Sequence, residues 1–167
     1  MREVVGTHVQ QAGSLVDSEK LRFDFSHYEA LTAEQLSKIE DIVNEKIREG
    51  IEVAVSHHSI EEAKNLGAMM LFGDKYGDVV RVVDVPGFST ELCGGTHIDN
   101  IGKIGLFKIV SEGGIAAGVR RIEAKTGYGA YLVEKEEADI LNNIEKKLKA
   151  TNINLVEKVE KTLETLK

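Results

Sequence analysis

The spacing of hydrophobic and polar positions changes several times along this chain. Leu21, Phe23 and Phe25 alternate with Arg22, Asp24 and Ser26, the period of two that places one face of a strand against a core. The polar run Asp17-Ser18-Glu19-Lys20 lets the chain reverse just before it, so residues 14–26 predict a β-hairpin. The period then lengthens, and Leu36, Ile39, Val43 and Ile47 fall on one helical face. Thr32 with Gln35 three positions later forms a capping box at the start of that helix, and Gly50 supplies its stop. Residues 51–55 predict a short strand. Ser59-Ile60-Glu61-Glu62 repeats the capping box and opens a short helix that Gly67 closes. Residues 73–78 are rich in turn formers, and residues 79–85 form a strand too apolar to be fully exposed. Pro86-Gly87 breaks that strand and opens a loop. Residues 104–110 and 119–124 predict two further strands, joined by the glycine-rich stretch 112–118. The pattern therefore expects an α+β fold, an antiparallel sheet with helices on one face.

From Gly129 onward Lys and Glu dominate, Gly and Pro disappear, and a helical pattern runs to the last residue. This divides the chain into a core, residues 1–128, and a long C-terminal helix, residues 129–167, expected to lead toward an absent C-terminal domain. Leu141, Leu148 and Leu155 hold a seven-residue repeat, but Thr162 breaks it and the companion row Glu145, Asn152, Val159, Leu166 is half polar. Coiled coils prefer apolar residues in both rows, so the seam is weak. It leaves a homodimer through this helix open.

Composition narrows the function classes. Apolar residues make up 42% of the 167, enough for a core, and no apolar run approaches the ~20 residues that span a bilayer. Met1-Arg2-Glu3-Val4 is unlike a signal peptide, and one cysteine fits a reducing compartment. A soluble, cytoplasmic protein without membrane contact is expected. The net charge of −7 argues against general nucleic-acid binding. Residues 100–130 nevertheless carry Lys103, Lys108, Arg120, Arg121 and Lys125 against Glu112 and Glu123. That basic window reads either as an RNA-facing surface or as charge scattered over solvated strands.

The chemistry concentrates at Cys93-Gly94-Gly95-Thr96-His97. A thiolate and an imidazole at this spacing can hold one zinc ion from a tight turn, the two glycines allowing backbone angles that other residues resist. Zinc normally takes three or four protein ligands, so two donors make an incomplete site. His57-His58 are adjacent in extended chain and point to opposite faces, which prevents them from sharing a metal. The 112–118 stretch lacks the Gly-Lys-Ser/Thr of a phosphate-binding loop.

Three segments in order carry a family resemblance: residues 8–16 (HVQQAGSLV) running into 21–27 (LRFDFSH), then CGGTH at 93–97 leading to 104–109 (IGLFKI), then 111–124 (SEGGIAAGVRRIEA). Together they resemble the editing domain of bacterial alanyl-tRNA synthetases over roughly residues 4–130, and the trailing helix is similar to the linker that follows it. The Gly-Gly-Thr spacer looks alanyl rather than threonyl. The resemblance implies hydrolysis of serine or glycine wrongly esterified to tRNA(Ala), in a parent ligase that joins alanine to that tRNA with ATP through a separate class II domain. It implies that Cys93 and His97 are two zinc ligands, the other two being histidines of an HxxxH helix upstream of the His8 segment. Only seven residues precede His8, so half a site and little or no deacylase activity are expected of this segment by itself. Whether the zinc is structural or catalytic stays open. Gln11 matches a position facing the editing pocket, where its amide would bind water or the terminal ribose. His8 either lines that pocket or packs on the first strand, and Thr96 either steadies the loop or touches substrate. His27 is expected to hydrogen-bond structurally. One of Arg120 and Arg121 is expected to reach phosphate while the other pairs with Glu112 or Glu123. Two further readings are a free-standing alanyl-tRNA editing protein and a non-catalytic module that binds the 3′ end of tRNA or dimerises.

Overall fold

The computed structural model of the chain describes residues 1–70 and 77–166. Two compact units divide it, Met1–Ala130 and Tyr131–Lys167. The first opens with a single helical turn, α1 (Arg2–Val5), followed by β1 (Gln11–Val16), β2 (Leu21–Ser26) and α2 (Ala33–Glu49). Next come β3 (Ala54–Ser59), α3 (Ile60–Asn65), β4 (Val79–Val85) and β5 (Ser89–Leu92). A 3₁₀ turn at Ile101–Ile104 leads into β6 (Phe107–Ala116) and β7 (Val119–Thr126). The strands form two antiparallel sheets, one of four in the order β1-β2-β7-β6 and one of three in the order β3-β4-β5. The α+β class with antiparallel pairing and helices holds, divided over two sheets.

The alternation in β2 does what its period requires. Phe25 is fully buried and packs with Val9, Leu31, Ile39 and Ile122, joining β2, α2 and β7 in one cluster. Asn44 of α2 pairs with the backbone of Phe107 on both sides, its Nδ2 donating to the carbonyl and its Oδ1 accepting from the amide, each at 2.8 Å. A side-chain amide thus extends the hydrogen bonding of β6 to the helix. The smaller sheet has its own core, in which Ala63 of α3 packs on Val80, Val82 and Leu92. Both capping boxes form: Thr32 Oγ1 accepts from the Gln35 amide at 3.1 Å, and Ser59 does the same for Glu62. Gly50 closes α2 with φ of 62°, a conformation that Gly adopts without a Cβ clash.

Several boundaries differ from the sequence expectation, each for a local reason. The strand expected at 51–55 begins at Ala54 and runs through His57-His58 to Ser59. Ile51 and Val53 instead exchange backbone hydrogen bonds with Ile101 and Asp99. The apolar alternation is continuous there, and the change of partner leaves no mark in it. The loop after Pro86-Gly87 contains β5, whose Ser-Thr-Glu-Leu sequence lacks an alternating apolar face. The stretch expected to begin a strand at Ile104 starts it at Phe107, and the glycine-rich 112–118 segment is mostly strand. Gly113 and Gly114 pair with Arg121 and Arg120 across the ladder, and a Cβ on Gly114 would lie 3.5 Å from Arg120 Nη1, whereas the space beside Gly113 is open. Two register shifts in β6 absorb the irregularity. Only Ala117-Gly118 turns the chain. Gly118 has φ of +69°, and a Cβ there would sit 2.9 Å from the Tyr28 ring. Residues 73–76 of the turn-rich stretch lie outside the described residues.

The second unit is helical but interrupted. Helix α4 (Gly127–Leu148), which starts in the first unit, ends at Lys149 with φ of 49°, and α5 (Leu155–Thr165) follows a short break. In the break the Thr151 amide donates to Asn154 Oδ1 at 2.8 Å. Thr, Asn and Ile are weak helix formers, and Asn competes for backbone donors. The expected continuous helix is therefore two, and Leu148 and Leu155 do not share one heptad seam. Among the described residues no helix is long and apolar enough to cross a membrane.

The capping geometry gives a direct prediction. Thr32→Ala lowers stability by about 1 kcal/mol, seen as a lower urea midpoint at unchanged slope, whereas Thr32→Ser stays near the parent.

Candidate functional site

The Cys93–His97 turn is carried by the smaller sheet. β4 is its central strand, and β5 returns along it after the Pro86-Gly87 turn, with the Phe88 amide donating to the Val85 carbonyl at 2.9 Å. Pairing continues one residue past β5, where the Cys93 amide donates to the Arg81 carbonyl at 3.2 Å. Leu92 turns into the core at 3% exposure while Glu91 and Cys93 face the other way. The turn then emerges into solvent: Cys93 is a half-buried free thiol and His97 is exposed.

A cleft of about 630 Å³ lies between this turn and the first strand. Gln11 and Ser14 of β1 stand on one wall, and Arg81, Glu91, Cys93, Thr96 and His97 stand on the other. Gln11 sits at a register irregularity between Gln11 and Gly13, the kind of feature that re-aims a side chain. Its Nε2 is 3.3 Å from Ser14 Oγ. A second, mostly apolar cavity of about 360 Å³ adjoins, lined by Val9, Phe23, Ile39 and Phe88. Gln11 and Glu91 line both.

Gly94 and Gly95 do not take the positive φ that the sequence reading invoked for them. Nor does crowding demand glycine: a Cβ on Gly94 would meet nothing within 4 Å, and one on Gly95 would make an ordinary 3.6 Å contact with Cys93 Sγ. The turn has a different support. Arg81 Nη1 donates to the carbonyls of Cys93 and Gly95, each at 2.7 Å.

Of the remaining residues singled out from sequence, several lie elsewhere. His8 bonds through Nε2 to His27 Nδ1 at 2.9 Å and does not line the cleft. His58 Nε2 bonds Ser56 Oγ at 2.8 Å, and its neighbour His57 is exposed on the opposite face of β3. Both arginines expected to include a phosphate ligand are held in two-point ion pairs instead. Arg120 chelates Glu112, with Nη2–Oε2 at 2.9 Å. Arg121 grips Asp24 at 2.7 and 2.8 Å. The partner of Arg121 is thus neither of the two glutamates considered; Asp24 is opposite it in the β2–β7 register and 97 residues away in sequence. Lys103 pairs with Asp99, and Lys20 reaches Glu123. Ion pairing therefore absorbs much of the basic window.

Asp24 is buried at 6% exposure. Hydrogen bonding from Arg121 holds its carboxyl below the usual aspartate value, against the opposing effect of burial. Glu112 in turn raises Arg120 and Asp24 raises Arg121, so both guanidiniums stay charged.

The donors at the turn suit zinc in kind, one thiolate and one imidazole, but not in number. Among the described residues no group of three His, Cys, Asp or Glu side chains comes together to hold a metal. Sequence reasoning missed Arg81 and Glu91. The available signal for Arg81 was a lone cation in the valine-rich strand Val79–Val85, flanked by two valines on each side.

With this geometry in hand, residues 80–123 match the threonyl and alanyl tRNA synthetase second additional domain, a span running from β4 through the Cys93–His97 turn into β7. Residues 80–123 thus carry that domain's signature, and the chain as a whole is similar to a segment of alanine–tRNA ligases. Over all 167 residues it is 93% identical to part of an alanine–tRNA ligase from Fusobacterium nucleatum, covering 19% of that protein. It is 56% identical over 160 residues to the alanine–tRNA ligases of Bacillus mycoides and Bacillus anthracis, covering 18% of each. The chain thus spans about a fifth of the length of these curated relatives.

The buried ion pair makes stability pH-dependent. A depressed native carboxyl stabilises the fold above the ordinary aspartate value of about 3.9, and that contribution is lost as pH falls through the lower native value. Urea midpoints measured from about pH 5 to about pH 2 fall less steeply in Asp24→Asn than in the parent. Equal slopes would remove Asp24 from the acid transition.

Proposed function

We propose that this segment forms the ester-hydrolysing cleft of an alanine–tRNA ligase, where serine or glycine wrongly joined to the 3′ end of tRNA(Ala) is removed. One observation carries the reading: Gln11, Thr96 and the Cys93–His97 turn, from separate parts of the chain, line a single cleft. Cys93 and His97 would hold half of a zinc site, with two ligands supplied from outside this segment. When bound, zinc polarises a carbonyl or orders a water. The Gln11 amide, held at the mouth of β1, orients the attacking water or the terminal ribose. Thr96 stands between the two donors and steadies the turn through its hydroxyl. Attachment of alanine with ATP belongs to parts of the ligase outside this chain. The segment alone has little or no deacylase activity.

The complete ligase provides the test. Cys93→Ala and His97→Ala each lower hydrolysis of Ser-tRNA(Ala) by at least about 100-fold, since even residues that only orient metal ligands cost 10–100-fold. Bound zinc falls with it, while alanine attachment continues. Parental deacylation in both variants would reject the reading.

A further inference from the structure

We infer that Arg81 is the positioning residue of the Cys93–His97 turn, a role that rests on the proposed function only for its catalytic consequence. Gly94 and Gly95 leave the turn permissive, because neither φ restriction nor side-chain contact fixes their backbone. A site that must hold donors in one geometry needs support from a rigid element. Arg81 supplies it. It sits on the central strand of the smaller sheet, between Val80 and Val82 at 5% and 1% exposure. One nitrogen of its guanidinium bridges the carbonyls on either side of Gly94, both at 2.7 Å. Its own carbonyl accepts from the Cys93 amide. Three hydrogen bonds from one residue thus span the start of the turn. Charge-assisted bonds to carbonyls are the stronger kind, and the two made by the side chain depend on the residue being a cation of this length. Arg81 reaches the turn through backbone carbonyls. It acts by setting where Cys93 and His97 stand.

The test uses this chain directly. Backbone ¹⁵N order parameters are measured for Cys93, Gly94, Gly95 and Thr96 in the parent, Arg81→Met and Arg81→Lys. In the parent they lie near the rigid value of about 0.85, and in Arg81→Met they fall below about 0.6. Arg81→Lys lies between, since an ammonium can still donate to two carbonyls on a shorter reach. Alkylation of the Cys93 thiol changes rate in the same order. A turn that stays rigid in Arg81→Met overturns the inference. So does loosening that spreads equally to Val80, Val82 and Leu92, since that would make Arg81 a support of the whole sheet. In the complete ligase, Arg81→Met lowers kcat for deacylation about 10–100-fold with KM little changed. A loosened turn with parental deacylation would leave the role of Arg81 standing and reject the proposed function instead.

Discussion

The pairing of β2 with β7 is the contact on which the first unit depends. Six consecutive residue pairs, Leu21–Ala124 to Ser26–Val119, join the N-terminal hairpin to the C-terminal one. Everything between them, including α2 and the whole smaller sheet, is enclosed by that closure. Closing so long a loop costs chain entropy, which the pairing offsets on both faces. On one, Phe25 and Ile122 meet in the core beneath α2. On the other, Asp24 and Arg121 form a two-point ion pair with the carboxylate nearly removed from water. Such a pair is costly to break once buried, so it fixes register as well as adding cohesion. A slip of one residue would exchange the two faces and strand both groups.

From that closure follows the cleft. With β2 fixed, β1 lies at the sheet edge and faces, across the cleft, the turn that β4 and β5 project. The smaller sheet contributes a rigid centre, β4, from which Arg81 holds a turn whose glycines set no shape by themselves. Support and permissiveness are divided between two residue types. The glycines leave the backbone free to adopt several conformations, and the arginine chooses among them.

Much of this was legible in the sequence, and the failures share a cause. Local signals performed well: both capping boxes, the Gly50 stop and the Val79–Val85 strand stand where pattern placed them. Gln11, Thr96, Cys93 and His97 do come together in one cleft. What pattern could not supply was the identity of partners distant along the chain. Arg121 was expected to seek phosphate or a nearby glutamate and instead finds Asp24. His8 finds His27 rather than the cleft. Glycines 113 and 114 looked like loop because what holds them in a strand, backbone pairing with Arg121 and Arg120, lies on another strand. The broken C-terminal helix is the exception, since Thr151-Asn152-Ile153-Asn154 was a local warning against continuity.

In the function proposed, the Cys93–His97 turn presents its donors to a metal whose other ligands lie outside this chain. Zinc K-edge X-ray absorption on the complete ligase addresses it most directly. The parent should show one sulfur at about 2.3 Å among nitrogen neighbours, with the sulfur absent in Cys93→Ala. A zinc environment unchanged by Cys93→Ala, or a fully active editing enzyme without zinc, would contradict it.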